Sequence, residues 1–106
     1  MANKKIIWSS LSIRQLKAVL DFYTQRNGSP AYSLKILIEI EELLNALSEN
    51  EFIGRLTSNK MTRAIPMKVY LIFYEISQNQ IKIVSFWDNR QNNKKLIPVL
   101  SKIPKS

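Results

Sequence analysis

Two runs of β-branched and aromatic residues dominate this sequence, Lys68–Ile76 (KVYLIFYEI) and Gln80–Trp87 (QIKIVSFW). Only Ser77-Gln78-Asn79 stands between them. A polar connection that short suits an antiparallel hairpin, because a parallel crossover needs a dozen residues or more. Val, Ile, Tyr, Phe and Trp fit a pleated surface, so the pair is expected at the centre of a sheet. Met61–Pro66 reads as a strand leading into it, and Pro66 calls for an edge position or a bulge. The second run ends in Asp88-Asn89-Arg90-Gln91-Asn92, which is polar and cationic. A guanidinium at the end of a rigid strand is well suited to a phosphate or carboxylate, which makes Arg90 the first candidate for function.

The chain ahead of the hairpin supplies a core for it. Lys4–Trp8 is a short β-type run, and Ser9, Ser10 and Ser12 offer cap oxygens. A helix is expected from about Leu11 to Thr24, because Leu16, Val19, Leu20 and Tyr23 recur at helical spacing. Asn27-Gly28 ends it, with Gly28 as the C-cap. Ser29-Pro30 opens a second helix reaching Leu47 or Ser48, proline being tolerated at the first helical position. Its stripe of Ile36, Ile40, Leu43, Leu44 and Leu47 is widened by Leu34, Leu37 and Ile38, which suggests cover on two faces. Ile53–Leu56 reads as a short extended piece, with Gly54 allowing a bend, and Thr57–Lys60 as a loop. Pro98 and Pro104 keep the apolar residues Leu96, Ile97, Val99, Leu100 and Ile103 from forming a long terminal helix. The expected order is β–α–α–β–β–β plus a tail. The class is α+β, a two-helix hairpin on one face of a small, mainly antiparallel sheet.

At 106 residues and 45% hydrophobic, the chain is one domain with a proper core. It contains no cysteine and no histidine. Disulfides, thiolate chemistry, the commonest metal ligands and the usual near-neutral proton carrier are therefore missing, and neither a metal nor a cofactor is expected. No apolar run resembles a signal peptide or spans a bilayer, in keeping with a cytoplasmic protein and no membrane partner. The formal charge of +8 is placed unevenly. Residues 1–54 balance six basic against six acidic side chains, whereas residues 55–106 carry ten basic and two acidic. One strongly positive side implies an anionic partner, with plain solubility as the alternative.

Several segments, taken in order, resemble the RelE/ParE superfamily, the toxic halves of bacterial toxin–antitoxin pairs. They are Ile6-Ile7-Trp8-Ser9, Asn27-Gly28-Ser29 with Tyr32-Ser33, Ile53-Gly54-Arg55, Thr62-Arg63, Tyr70–Ile76 and Ile83–Asn92. The likeness spans roughly residues 3–96 and makes 1–106 a single toxin domain, with a core of about 3–92 and a basic tail, 93–106. It implies a cytoplasmic, growth-inhibiting protein of a plasmid-stabilisation type, held inactive by a cognate antitoxin. Some members cut mRNA on the ribosome; the ParE branch poisons DNA gyrase. RNA-cutting relatives commonly carry a tyrosine, histidine or glutamate near the C-terminal end, and none follows Trp87 here. The expected function is therefore a ParE-like toxin that binds gyrase without turnover. A ribosome-dependent endoribonuclease is the alternative, and an interaction module that has lost toxicity is a third.

Target-binding candidates are Arg55, Arg63, Arg90, Trp87, Lys94 and Lys95. Each has a structural counterpart. Arg90 pairs with Asp88 or a partner carboxylate in one reading and grips phosphate in the other. Arg63 faces solvent from its strand or converges with Arg90. Arg55 ties a loop to the sheet or joins them. Trp87, by strict alternation on the face of Ile81, Ile83 and Ser85, packs in the core or stacks on a base. Lys94, Lys95, Lys102 and Lys105 contact phosphate or keep the tail soluble. For a ribonuclease, Lys60 is the base, its pKa lowered by the crowding of Arg63 and Arg90, and the two arginines stabilise charge on phosphorus. Tyr70 and Tyr74 share a strand face, for packing or for proton transfer.

Overall fold

The computed structural model describes residues 4–88. Its elements are β1 (Lys5–Trp8), α1 (Ser10–Asn27), α2 (Ala31–Glu49), β2 (Arg55–Leu56), β3 (Thr62–Met67), β4 (Tyr70–Ile76) and β5 (Gln80–Asp88). Together they are the expected α+β arrangement.

Local chemistry sets the helix ends. Ser9 Oγ accepts the Ser12 N–H at 3.0 Å, satisfying one of the free donors of the first turn of α1. Replacing Ser9 by alanine should cost about 1 kcal/mol, read as a shifted urea midpoint with unchanged slope. Gly28 takes φ 65° and returns its N–H to Thr24, the left-handed C-cap the sequence calls for. Pro30 stands one residue ahead of α2 rather than in its first turn, while Ser29 Oγ accepts the Ala31 N–H. Ser33 Oγ donates to the Leu20 carbonyl and meets Thr24 Oγ1 at 2.8 Å, clasping the two helices near their turn.

The sheet runs β1-β5-β4-β3-β2, with β1 parallel to β5 and every other pair antiparallel. β4 is thus central. β2 reaches only Arg63 and Ala64, which leaves Pro66 on an open edge where its missing N–H is harmless. The helices cover one face. Val19, Tyr23, Ile36, Ile40 and Leu47 pack there on Ile65, Tyr70, Ile72, Tyr74, Ile81, Ile83 and Phe86. α2 packs on α1 and on the sheet, but Leu34, Leu37 and Ile38, the residues that widen its apolar stripe, are exposed, contrary to their reading from sequence.

A bulge in β5 changes which residues face the helices. Tyr74 lies opposite Ile83 but Phe73 lies opposite Ser85, so Val84 has no partner across the pair. Gln15 of α1 fixes this kink, its Oε1 accepting the Phe86 N–H at 2.9 Å and the Ser85 hydroxyl at 3.0 Å. Ser12 Oγ donates to the Ile83 carbonyl at 2.9 Å just before it. Beyond the bulge Phe86 turns to the helices and Trp87 to the outer face. Trp87 therefore does not share a face with Ile81 and Ile83 as strict alternation requires.

Candidate cationic cleft at the hairpin end

Around the β4–β5 turn the sheet ends in an open cleft of about 570 Å³. Its cations are Lys60, Arg63 and Lys82, its carboxylate is Glu75, and Phe52, Leu56 and Met61 make an apolar wall. Phe52 and Met61 are strongly exposed, at 62% and 70%, which is unusual for side chains of that size.

Each side of the cleft is held by ordinary folding interactions. Between β2 and β3, Asn59 Oδ1 accepts from the N–H groups of Met61 and Thr62, both at 2.8 Å, and from the Thr57 hydroxyl. Asn59 Nδ2 donates to Thr62 Oγ1 at 3.0 Å. These bonds hold Lys60 at φ 62°, a left-handed position that a non-glycine residue adopts only when its surroundings demand it. Lys60 is thus presented from a rigid loop.

Arg63 is anchored twice. Its Nη1 donates to the Gly54 carbonyl at 2.7 Å, and its guanidinium carbon sits 5.0 Å from the centre of the Phe52 ring. It is half-buried and lines the cleft. The same segment is gripped by Tyr74, whose hydroxyl accepts the Gly54 N–H at 2.8 Å and donates to the Glu51 carbonyl at 2.9 Å. Burial pushes the Tyr74 phenol above its ordinary pKa, while the Gly54 N–H and the charge of Arg63 pull the other way. Glu75 accepts from Thr62 Oγ1 at 3.1 Å and stands opposite Lys82 across the strands.

Of the residues singled out in the sequence, Lys60 and Arg63 meet on this cleft. Arg55 does not join them. It is paired with Ala64, one position along β3 from Arg63, and is not among the side chains that line the cleft. Trp87 is half-buried on the outer face, beside Leu71 and far from the hairpin turn. Tyr70 and Tyr74 do share a face, as read, but it is the buried one. Arg90, Lys94 and Lys95, with Lys102, Lys105 and the apolar terminal stretch, lie outside the described residues. Asp88 is level with Tyr70 and Met67, four residues along β3 from Arg63, a distance of roughly 13 Å at strand rise. Sequence reasoning missed Lys82, Phe52 and Met61. Lys82 was visible as the polar member of the alternation Ile81-Lys82-Ile83, whereas nothing in the sequence marks Phe52 as exposed.

Chemically, a cleft lined by three cations, one carboxylate and several apolar side chains suits an anionic surface that also offers apolar or planar groups. Fold and site together describe a small cationic α+β domain with a mixed five-stranded sheet and a basic cleft at one end. A family model, the ParE toxin of the type II toxin–antitoxin system parDE, matches residues 6–93, and the chain belongs to that family. Among solved structures it is similar to the chromosomal ParDE toxin–antitoxin system from P. aeruginosa, at 20% identity and TM-score 0.68, over 80% of this chain and 95% of that one. It is also similar to YoeB, solved as a dimer, from Staphylococcus aureus, at 26% identity and TM-score 0.57, over 81% and 97% of the two chains. No curated protein matches the sequence.

Proposed function

We propose that this chain inhibits growth by binding a large cellular target through its cationic side, without turnover of its own, and that a cognate antitoxin neutralises it in the cytoplasm. The family match over residues 6–93 carries the reading, and DNA gyrase is the target its ParE branch implies. The likeness to a ParDE system supports a protein antitoxin as partner. Behind the cleft, the buried Tyr74 hydroxyl is occupied by two backbone partners, and in the cleft a donor of Arg63 is taken by a carbonyl, so both serve the fold before any reaction. That favours recognition over proton transfer.

Lys60 and Lys82 are the residues with which to test it. Lys60→Glu with Lys82→Glu reverses two charges on the cleft and leaves the anchored Arg63 alone. Affinity for purified gyrase, measured by surface-bound titration at moderate salt, should fall at least about tenfold, since close charge pairs across an interface are coupled by about 1.5 kcal/mol or more and 1.4 kcal/mol is about tenfold. Unchanged affinity would exclude the cleft from target binding. A second reading, an mRNA endoribonuclease using Lys60, Arg63 and Arg90, rests on Lys60 and Arg63 sharing one cleft.

A further inference from the structure

The outer face of α2 carries a pattern that neither the core nor the cleft uses. Ile36, Ile40 and Leu47 are buried, whereas Leu34, Leu37 and Ile38 are exposed, Ile38 by 57%. Three large aliphatic side chains exposed within little more than one helical turn form an apolar patch of the kind that marks a contact surface. Charges border it. Lys35, Glu41 and Glu42 are exposed, and none of them is in an ion pair among the described residues. Glu39, closer to the sheet, is already taken by Lys68.

The order of these residues around Ile38 is self-complementary. At roughly 100° per residue, Lys35 and Glu42 project about 60° and about 40° to the same side of Ile38, and Leu34 and Glu41 to the other. Along the helix axis Lys35 lies about 4.5 Å before Ile38 and Glu42 about 6 Å after it. A second α2 can lie antiparallel on the first, with a two-fold axis passing beside Ile38. That symmetry sets each side of one helix against the same side of the other, with the direction reversed. Each Lys35 then comes level with Glu42 of the other copy to within about one residue rise, 1.5 Å. Each Leu34 meets the aliphatic stem of the other Glu41, and the two Ile38 side chains meet at the axis.

Other occupants fit this face less well. Glu41 and Glu42 repel an acidic peptide, a nucleic acid or an anionic membrane, and a basic helix meets Lys35 as a like charge. The two-fold pairing satisfies both signs. We propose that this face of α2 is the contact between two copies of the chain, a symmetric antiparallel helix pair centred on Ile38 and closed by two Lys35–Glu42 ion pairs. The face is smaller than that of a permanent dimer, so association in the micromolar range is expected. None of the residues lining the cleft belongs to α2, so both clefts stay open in the dimer.

Sedimentation of the full-length protein, from micromolar to submillimolar concentration, should show a reversible monomer–dimer equilibrium. Ile38→Asp, Lys35→Glu and Glu42→Lys should each weaken it about tenfold or more, the last two because like charges then oppose each other twice. All three positions are exposed, so an unchanged urea midpoint confirms an intact fold. An equimolar mixture of the Lys35→Glu and Glu42→Lys chains should recover the dimer, since every pair in the mixed species again joins opposite charges. A chain monomeric at all concentrations overturns the proposal, as does a dimer indifferent to Ile38→Asp or a mixture no stronger than its components. If the chain is monomeric and Ile38→Asp instead abolishes its capture by a co-expressed antitoxin, the face belongs to that partner and the proposal fails.

Discussion

Gly54→Ala should destabilise this protein by roughly 3–5 kcal/mol, combining overpacking with the loss of paired backbone groups, and so remove much of the stability of a domain this size. A Cβ built at Gly54 meets Tyr74 Oη at 2.5 Å, Cε1 at 2.7 Å and Cζ at 2.9 Å, closer than non-bonded atoms approach. The ring cannot retreat, because Tyr74 is fully buried in the core of the sheet. Moving the loop instead breaks the Gly54 N–H and Glu51 carbonyl bonds to the Tyr74 hydroxyl, and the Arg63 bond to the Gly54 carbonyl with them. Urea unfolding measures the loss. Making room with Tyr74→Leu should render the pair markedly non-additive, the double variant being less damaged than the sum of the two. A Gly54→Ala protein within about 0.5 kcal/mol of the parent would show that the loop relaxes freely, as substitutions away from such features do.

Above pH 10 the fold should weaken steeply. Burial raises the phenols of both Tyr70 and Tyr74. For Tyr70 a hydrogen bond with Tyr32 and the nearby charge of Asp88 push in the same direction. In the unfolded chain a tyrosine ionises near pH 10. Below that value both states hold the proton, and the contribution of these groups is fully present. As pH rises past it the unfolded chain releases protons that the folded chain retains, so stability falls with pH. Each pKa unit by which the fold raises a phenol is worth about 1.4 kcal/mol, and two groups act together. Urea unfolding between pH 7 and pH 11 tests this. Tyr74→Phe should lose stability at pH 7, through its two orphaned backbone partners, and show a shallower decline above pH 10. A flat profile to pH 11 would mean that these hydroxyls are wet.

What the sequence disclosed and what it hid follow from how local each signal is. The Ser9 cap, the Gly28 turn, the spacing of Val19 and Tyr23 and the three-residue hairpin connection depend on neighbours within one or two turns, and all are found in place. The facing of Trp87 depends on Gln15 and Ser12, some seventy positions away, which pin a bulge that no alternation pattern shows. Gly54 read as a bend. It is glycine because Tyr74 arrives from a strand twenty residues later and occupies the space of a side chain. For the site, residue type pointed to Lys60 and Arg63 and the fold brings them together, whereas of the pair Arg55-Leu56 it is Leu56, opposite Arg63, that lines the cleft. Phe52 needed Arg63 beside it to be recognised as part of a surface.

Recognition without cleavage is the central claim, and expression of the chain in cells lacking its antitoxin tests it most directly when transcripts and DNA are followed in the same culture. Growth arrest with intact messenger RNA, accompanied by gyrase trapped on broken DNA, is the expected result. Messenger RNA fragmented within minutes of induction, with DNA intact and the fragmentation abolished by Arg90→Ala, would contradict it and identify the chain as a nuclease.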